Sequence, residues 1–163
     1  MTEKAEFNAD EWSTVLQGPA IAALRVITAE RGGTIRETYQ MGKAYAEERQ
    51  NHDNSELLDA IVAEQPQVKP GEYTDPAEIE TAGMEKLREA VAILERAGTS
   101  IEVDDYKRFA YAMADRVARA HKEGGFLGIG GKEVSEDERA ALDQIAQTLG
   151  YEVPPQMGSD EEE

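Results

Sequence analysis

Apolar side chains recur every three or four positions along most of this chain, which is the spacing of an amphipathic α-helix. The clearest stripes are Leu87, Val91, Leu94 and Ala97, followed by Val103, Tyr106, Ala110, Met113 and Val117. No stretch alternates apolar and polar residues over a useful length, as a half-buried strand would. The pattern therefore predicts an all-α fold without a sheet.

Helix starts are marked by Ser, Thr, Asp or Asn followed three residues later by Glu, a pair that can bond each other's backbone N–H. Such pairs are Asn8 with Glu11, Thr34 with Glu37, Asp53 with Glu56, Asp75 with Glu78, and Ser135 with Glu138. Phe7 and Trp12 flank the first start, where a hydrophobic staple would join them. The helix near 103–122 lacks a clean pair, and Ser100 and Asp104 are its candidate caps.

Helix ends are marked by glycine, and one proline interrupts the pattern. Gly98 and Gly150 lie where C-terminal caps belong, while Gly18-Pro19 predicts a kink or a division into two helices. We expect six or seven helices, at about 9–17, 19–31, 35–50, 54–65, 76–97, 102–122 and 136–149. They should form a compact, mainly antiparallel bundle with the 76–97 and 102–122 helices as its central hairpin.

The length of 163 residues suits one domain with its own core, which we place at residues 1–150. Residues 151–163 contain Pro154-Pro155 and five acidic residues but no base, so we expect a disordered acidic tail. Without Cys, the chain can form neither a disulfide nor a thiolate site.

The formal net charge of −17 limits the classes of partner. Nucleic acid and an anionic membrane surface both repel such a field, so we expect neither as a partner. No apolar run approaches the ~20 residues that span a bilayer, and the acidic N-terminus lacks a signal-peptide core. We therefore expect a cytoplasmic protein whose charge serves solubility, or adapts it to high salt or to a basic partner.

A glycine-rich segment, GGFLGIGGKEVSEDE, covers residues 124–138. Its glycines allow tight bending, and we expect Phe126, Leu127 and Ile129 to be buried against the helices. The segment matches neither a P-loop nor a dinucleotide fingerprint, because its spacing is wrong and no strand precedes it. A structural loop is the main interpretation, with anion binding at the Ser135 helix start as the alternative.

Residue types that carry catalysis are sparse. Glu48 and His52 lie four apart and could share one metal, but solvated side chains are the simpler interpretation. His121 falls near a helix C-terminus, where its positive charge is favoured. No Glu-x-x-His pair, calcium loop or nucleophile elbow is present. We expect no catalytic residue, no metal ligand and no cofactor.

Two resemblances rest on short motifs. GGFLGIGGKEVSEDE together with EWSTVLQGPAIAAL resembles an uncharacterised family of small helical bacterial proteins with a GGFLGxGG loop, over most of residues 8–150. More loosely, the C-terminal part is similar to tellurium-resistance-type (TerB-like) helical domains, since Val134, Ser135 and Glu138 match their helix start. The acidic loop residues of that group are missing here. The resemblances imply a helical fold and no defined activity.

The resulting expectation is a non-enzymatic helical protein that acts through protein contacts or self-association, with a stress response as a possible setting. The alternative is a small metal- or ligand-binding helical module that uses inward carboxylates such as Glu80, Asp105 or Asp115. Buried charged side chains would favour the binding module, whereas an exposed apolar patch would favour the interaction protein.

Ser135 provides a test of capping against chemistry. Ser135→Ala should lower the free energy of unfolding by about 1 kcal/mol, because the helix N-terminus loses its acceptor. Ser135→Asp should be tolerated, since Asp caps equally well and its charge favours a helix N-terminus. Chemical denaturation of both variants measures these effects, and an Ala variant as stable as the wild type would contradict the capping role.

Overall fold

The computed structural model describes residues 4–29, 55–64, 75–123 and 135–154, with no side-chain detail for 120–123. Within these ranges the chain is helical and contains no strand. After a short 3₁₀ turn, Lys4–Glu6, the helices are α1 (Ala9–Ile27), α2 (Glu56–Ala63), α3, α4 (Ser100–Glu123) and α5 (Glu136–Leu149). Helix α3 comprises three consecutive segments, Pro76–Glu78, Ile79–Gly83 and Met84–Ala97, of which the middle one has π-helical hydrogen bonding. The predicted all-α fold is confirmed.

Helix α1 is the centre of this assembly. It contacts α3 and α4 extensively, and these two contact each other less than either contacts α1. Small residues allow the neighbours to approach from several directions, and Gly18, Ala20, Ala22 and Ala23 are all buried. The expected central hairpin of α3 and α4 is therefore wrong, because the helix at the centre is α1.

The predicted stripes face the core. Leu87, Val91 and Leu94 of α3 are buried, as are all five members of the α4 stripe. Leu57, Leu58, Ile61 and Val62 of α2 and Ala141, Leu142, Ile145 and Leu149 of α5 complete the same cluster. Burial of these apolar faces supplies the main stabilisation of the bundle.

Of the two outcomes expected at Gly18-Pro19, the division into two helices is wrong, since α1 continues through both residues. Proline lacks the N–H that would donate to the carbonyl four residues earlier, which is that of Val15. The Tyr106 hydroxyl from α4 donates to this carbonyl oxygen at 2.6 Å, and Tyr106 is fully buried. A tertiary hydrogen bond thus replaces the missing helical one.

Gly18 makes room for that hydroxyl. A Cβ at this position would lie 2.0 Å from Tyr106 Oη and 3.3 Å from Leu87 Cδ1. Because the Tyr106 ring is enclosed by the core, it cannot swing aside cheaply. Gly18-Pro19, which predicts a helix break from local sequence, therefore provides the space and the free carbonyl that the Tyr106 hydroxyl of α4 occupies.

The helix count differs from the expected six or seven for two reasons. The expected 9–17 and 19–31 helices are one helix, α1, and the expected 35–50 helix lies outside the described ranges. The remaining boundaries agree within two residues. Gly150 ends α5 in the left-handed conformation with φ 67°, as its capping role predicts.

Tyr106→Phe should lower the free energy of unfolding by about 1–3 kcal/mol, because the buried Val15 carbonyl loses its donor. Gly18→Ala should destabilise the wild type by steric overlap with Tyr106 Oη, and less so in the Tyr106→Phe background. The matched control is Tyr111→Phe, on the same helix but half-buried. Chemical denaturation of the single and double variants gives the coupling energy; strictly additive effects would contradict the proposed fit.

Candidate functional site

The start of α1 is built as the sequence predicts. Asn8 and Glu11 form a reciprocal capping box, with Glu11 N–H donating to Asn8 Oδ1 at 2.8 Å and Asn8 N–H to Glu11 Oε2 at 3.0 Å. The Phe7 and Trp12 rings meet with centroids 5.6 Å apart, which confirms the staple. Both side chains are buried, so the indole of Trp12 is held in one orientation.

Glu64, directly after α2, joins this aromatic pair to a cation. The Trp12 indole Nε1–H donates to Glu64 Oε2 at 3.2 Å, and the other oxygen, Oε1, is ion-paired with the Lys4 ammonium. The Lys4 Nζ also lies 5.7 Å from the centroid of the Trp12 ring, within cation–π distance. An ammonium group is thus held between an indole and a carboxylate.

Electrostatics keep this carboxylate ionised. The hydrogen bond from Lys4 lowers the pKa of Glu64 below its ordinary value, and the Trp12 hydrogen bond acts in the same direction against the effect of burial. Nearby, the hydrogen bond from Arg96 lowers the pKa of Glu11, aided by the bond from the Asn8 backbone. The two acids tie residues 4–12 to the end of α2 and to α3.

The carboxylates proposed for ligand binding do not come together. Asp105 pairs with Arg108 at 3.5 Å and Asp115 with Arg119 at 2.8 Å, both within α4. They are ten residues apart on that helix, so their Cα atoms are separated by roughly 15 Å. Glu80 belongs to another helix, in the π segment of α3.

Glu80 is part of a polar link between three helices. Arg25 Nη2 of α1 lies 3.8 Å from Glu80 Oε1, and Arg25 Nε donates to Gln144 Oε1 of α5 at 2.7 Å. Gln144 Nε2 in turn donates to the backbone carbonyl of Glu80 at 3.3 Å. A π-helical turn disturbs the regular backbone ladder, and here a side chain bonds one of its carbonyls.

No group of three or more His, Asp or Glu side chains placed to hold a metal occurs in the described part of the chain. Glu48 and His52 lie outside the described residues, as do the side chain of His121 and the loop that contains Phe126, Leu127 and Ile129. The same holds for the expected tail beyond Pro154. Tyr151, where that tail was expected to begin, packs against the Tyr111 ring with centroids 5.4 Å apart.

Buried acids, which we expected in a binding module, act as helix caps. Glu138 forms a capping box with Ser135, as the sequence predicts. Glu102 pairs in the same way with Thr99, whose hydroxyl accepts from Glu102 N–H at 3.2 Å, while Thr99 N–H donates to Glu102 Oε2 at 2.9 Å. The candidates Ser100 and Asp104 were therefore wrong, although Thr-x-x-Glu is itself a capping signature.

The second helix also begins at a different cap. The Ser55 hydroxyl accepts from Leu58 N–H at 3.3 Å and makes Ser55 the N-cap of α2, where Asp53 was expected. At the start of α3, by contrast, the Asp75 cap and Pro76 in the first turn are as predicted.

An open depression of about 440 Å³ runs along the outer face of α3. Four charged side chains line it, two of each sign, between Ala82 at one end and Ala92 at the other; they are Glu85, Lys86, Arg88 and Glu89. Small-molecule sites are usually enclosed and mainly apolar. This surface is instead shallow, lined by charged side chains and accessible along about three turns of one helix.

Comparison of the chain with protein-family models, curated proteins and solved structures gave no match. The resemblances to the GGFLGxGG family and to TerB-like domains therefore stay predictions. A membrane-spanning candidate is likewise missing from the helices described above, none of which combines sufficient length with sufficient apolar character.

Glu64 should stabilise the fold in a pH-dependent manner. A folded-state pKa below the unfolded value gives stability that is present above about pH 4.3 and is lost as the pH falls through the folded pKa. The thermal midpoint of Glu64→Gln should therefore be below that of the wild type at pH 7, with the difference shrinking in acid. The exposed Glu152→Gln is the control; a difference that does not shrink at all as the solution is acidified would contradict this assignment.

Proposed function

We propose that this protein is a non-enzymatic cytoplasmic protein that acts by contacting another protein through the outer face of α3. The observation that carries the proposal is the open depression between Ala82 and Ala92. Its ends have small side chains, so a partner's backbone can approach closely, and its middle offers two acids and two bases for paired contacts. Opposite charges that pair across a contact fix its register and its specificity.

Helix α3 has one face that packs in the core and an opposite face that is open to a partner. Leu87, Val91 and Leu94 are buried in the core, whereas Glu85 and Glu89 point to solvent on the opposite side. The outer residues are therefore not required for packing among the described helices. The exposed apolar patch expected of an interaction protein is not found among the described residues, where Ile101 and Val153 are the exposed large aliphatic side chains. The proposal therefore rests on the small and charged residues of the α3 face.

Overall charge favours a basic partner. With a net charge of −17, the protein attracts positively charged surfaces at long range and repels acidic ones. The α3 face, with two acids and two bases, would then fix the orientation of the bound partner. The negative field of the whole protein would increase the rate at which the two proteins meet.

Site-specific photo-crosslinking tests the proposal. A photoreactive residue replaces Glu85 in one variant and the exposed Gln147 of α5 in the other, and both are irradiated in cells of the source organism. We expect a discrete adduct from position 85 that is missing from position 147. Gel mobility and mass spectrometry identify it, and an adduct of twice the protomer mass would make the partner a second copy.

Substitutions show whether the adduct depends on the α3 face. Ala82→Arg with Ala92→Arg should abolish it without lowering the thermal midpoint, because both alanines are exposed. Ala140→Arg, at an exposed alanine of α5, is the matched control and should leave it intact. Equal adducts from positions 85 and 147, or an adduct that survives the double substitution, would overturn the proposal.

A further inference from the structure

The arrangement of Lys4, Trp12 and Glu64 has the chemistry of an ammonium-binding site. Indole rings attract cations through the negative face of the π system, and the attraction increases when a carboxylate shares the cation. Here the Lys4 Nζ lies 5.7 Å from the Trp12 centroid and is ion-paired with Glu64 Oε1. We propose that Trp12 and Glu64 form a binding site for primary alkylammonium groups, in which Lys4 is the internal occupant.

The two fixed partners are pre-organised by the fold. Trp12 is 4% exposed and packs on Phe7, so its ring cannot turn to follow a ligand. Its Nε1–H donates to Glu64 Oε2 at 3.2 Å, which orients the carboxylate and leaves Oε1 for the cation. A site whose groups are already oriented loses little conformational entropy when a ligand binds.

The occupant, by contrast, is exposed to solvent. The Lys4 side chain is 56% exposed, and that of Glu64 is 39% exposed. Exposed ion pairs contribute only ~0–1 kcal/mol, since water competes and a lysine side chain loses rotamer entropy. Displacement of the Lys4 ammonium therefore requires no unfolding of the buried Phe7 and Trp12 rings.

Charge selects the class of ligand. Removal of Lys4 leaves the Glu64 carboxylate without its cation, and a neutral or anionic ligand cannot replace that charge. The net charge of −17 further concentrates cations near the surface. A primary ammonium fits best because it reproduces the three donors of the lysine it displaces.

This site is separate from the contact proposed on the outer face of α3 and does not depend on it. The same ammonium chemistry occurs in a free small amine and in a lysine side chain of another polypeptide. We use n-butylammonium as the probe for the first and N-acetyl-Gly-Lys-Gly-amide for the second. The matched uncharged probes are n-butanol and the norleucine peptide.

Fluorescence of Trp12 reports binding directly, because the chain contains one Trp. Titrations at constant ionic strength compare the wild type with Lys4→Ala. If Lys4 occupies the site about nine-tenths of the time, its removal should tighten binding of n-butylammonium by about tenfold. The control Lys107→Ala removes an equal charge from another ion pair, with Glu95 at 3.4 Å, and should behave as the wild type.

Glu64→Gln in the Lys4→Ala background should abolish the response, whereas n-butanol should give none in any variant. The indole N–H resonance of Trp12 provides a second measurement, and circular dichroism confirms that each variant is folded. Tighter binding of the lysine peptide than of n-butylammonium would assign the site to polypeptides. Tighter binding of n-butylammonium would assign it to free amines. Equal affinity in Lys4→Ala and the wild type, or an equal response to n-butanol, would overturn the proposal.

Discussion

The hydrogen bond from the Tyr106 hydroxyl to the Val15 carbonyl is the contact on which the arrangement of helices depends. It spans 91 residues of sequence and lies inside the core. Pro19 removes the helical donor, Gly18 removes the Cβ that would block the hydroxyl, and Tyr106 supplies the replacement. Because Pro19 cannot donate, loss of the Tyr106 hydroxyl, or a side chain at Gly18 that displaces it, would leave the buried Val15 carbonyl without this donor. The central helix is therefore continuous through Pro19 with a hydrogen bond supplied by another helix.

Much of the fold follows from local sequence. The apolar stripes of α3 and α4 and the caps at Asn8, Asp75 and Ser135 were predicted because each depends on residues within one or two turns. The continuity of α1 was not, since its cause is a tyrosine from α4. The Thr99 cap is different, because its Thr-x-x-Glu signature lies within one helical turn and is recognisable from local sequence. At Gly18-Pro19, by contrast, a tertiary contact overrides the local propensity.

The candidate site was beyond prediction for a geometric reason. Lys4 and Trp12 are neighbours in sequence, but Glu64 is 52 residues from Trp12 and follows a different helix. Nothing in the composition near Glu64 distinguishes it from the other acids of a strongly acidic chain. The carboxylates expected to face inward are Glu80, Asp105 and Asp115, and the two on α4 pair with arginines of their own helix. Glu64 differs from these acids in what it contacts: it bonds Lys4 and Trp12 from another part of the chain, whereas Asp105 and Asp115 pair within α4.

The polar link among Arg25, Glu80 and Gln144 bears on the order in which the chain can assemble. Arg25 and Gln144 are separated by 119 residues, and Gln144 also bonds the backbone of the π segment 64 residues before it. During synthesis, α1 emerges before α3 and α5, which carry the other two members of this link. Contacts of such long range slow folding, because the chain must close a large loop before they form. Helix α1 therefore cannot complete its polar contacts until Gln144 of α5 has been synthesised, 119 residues after Arg25.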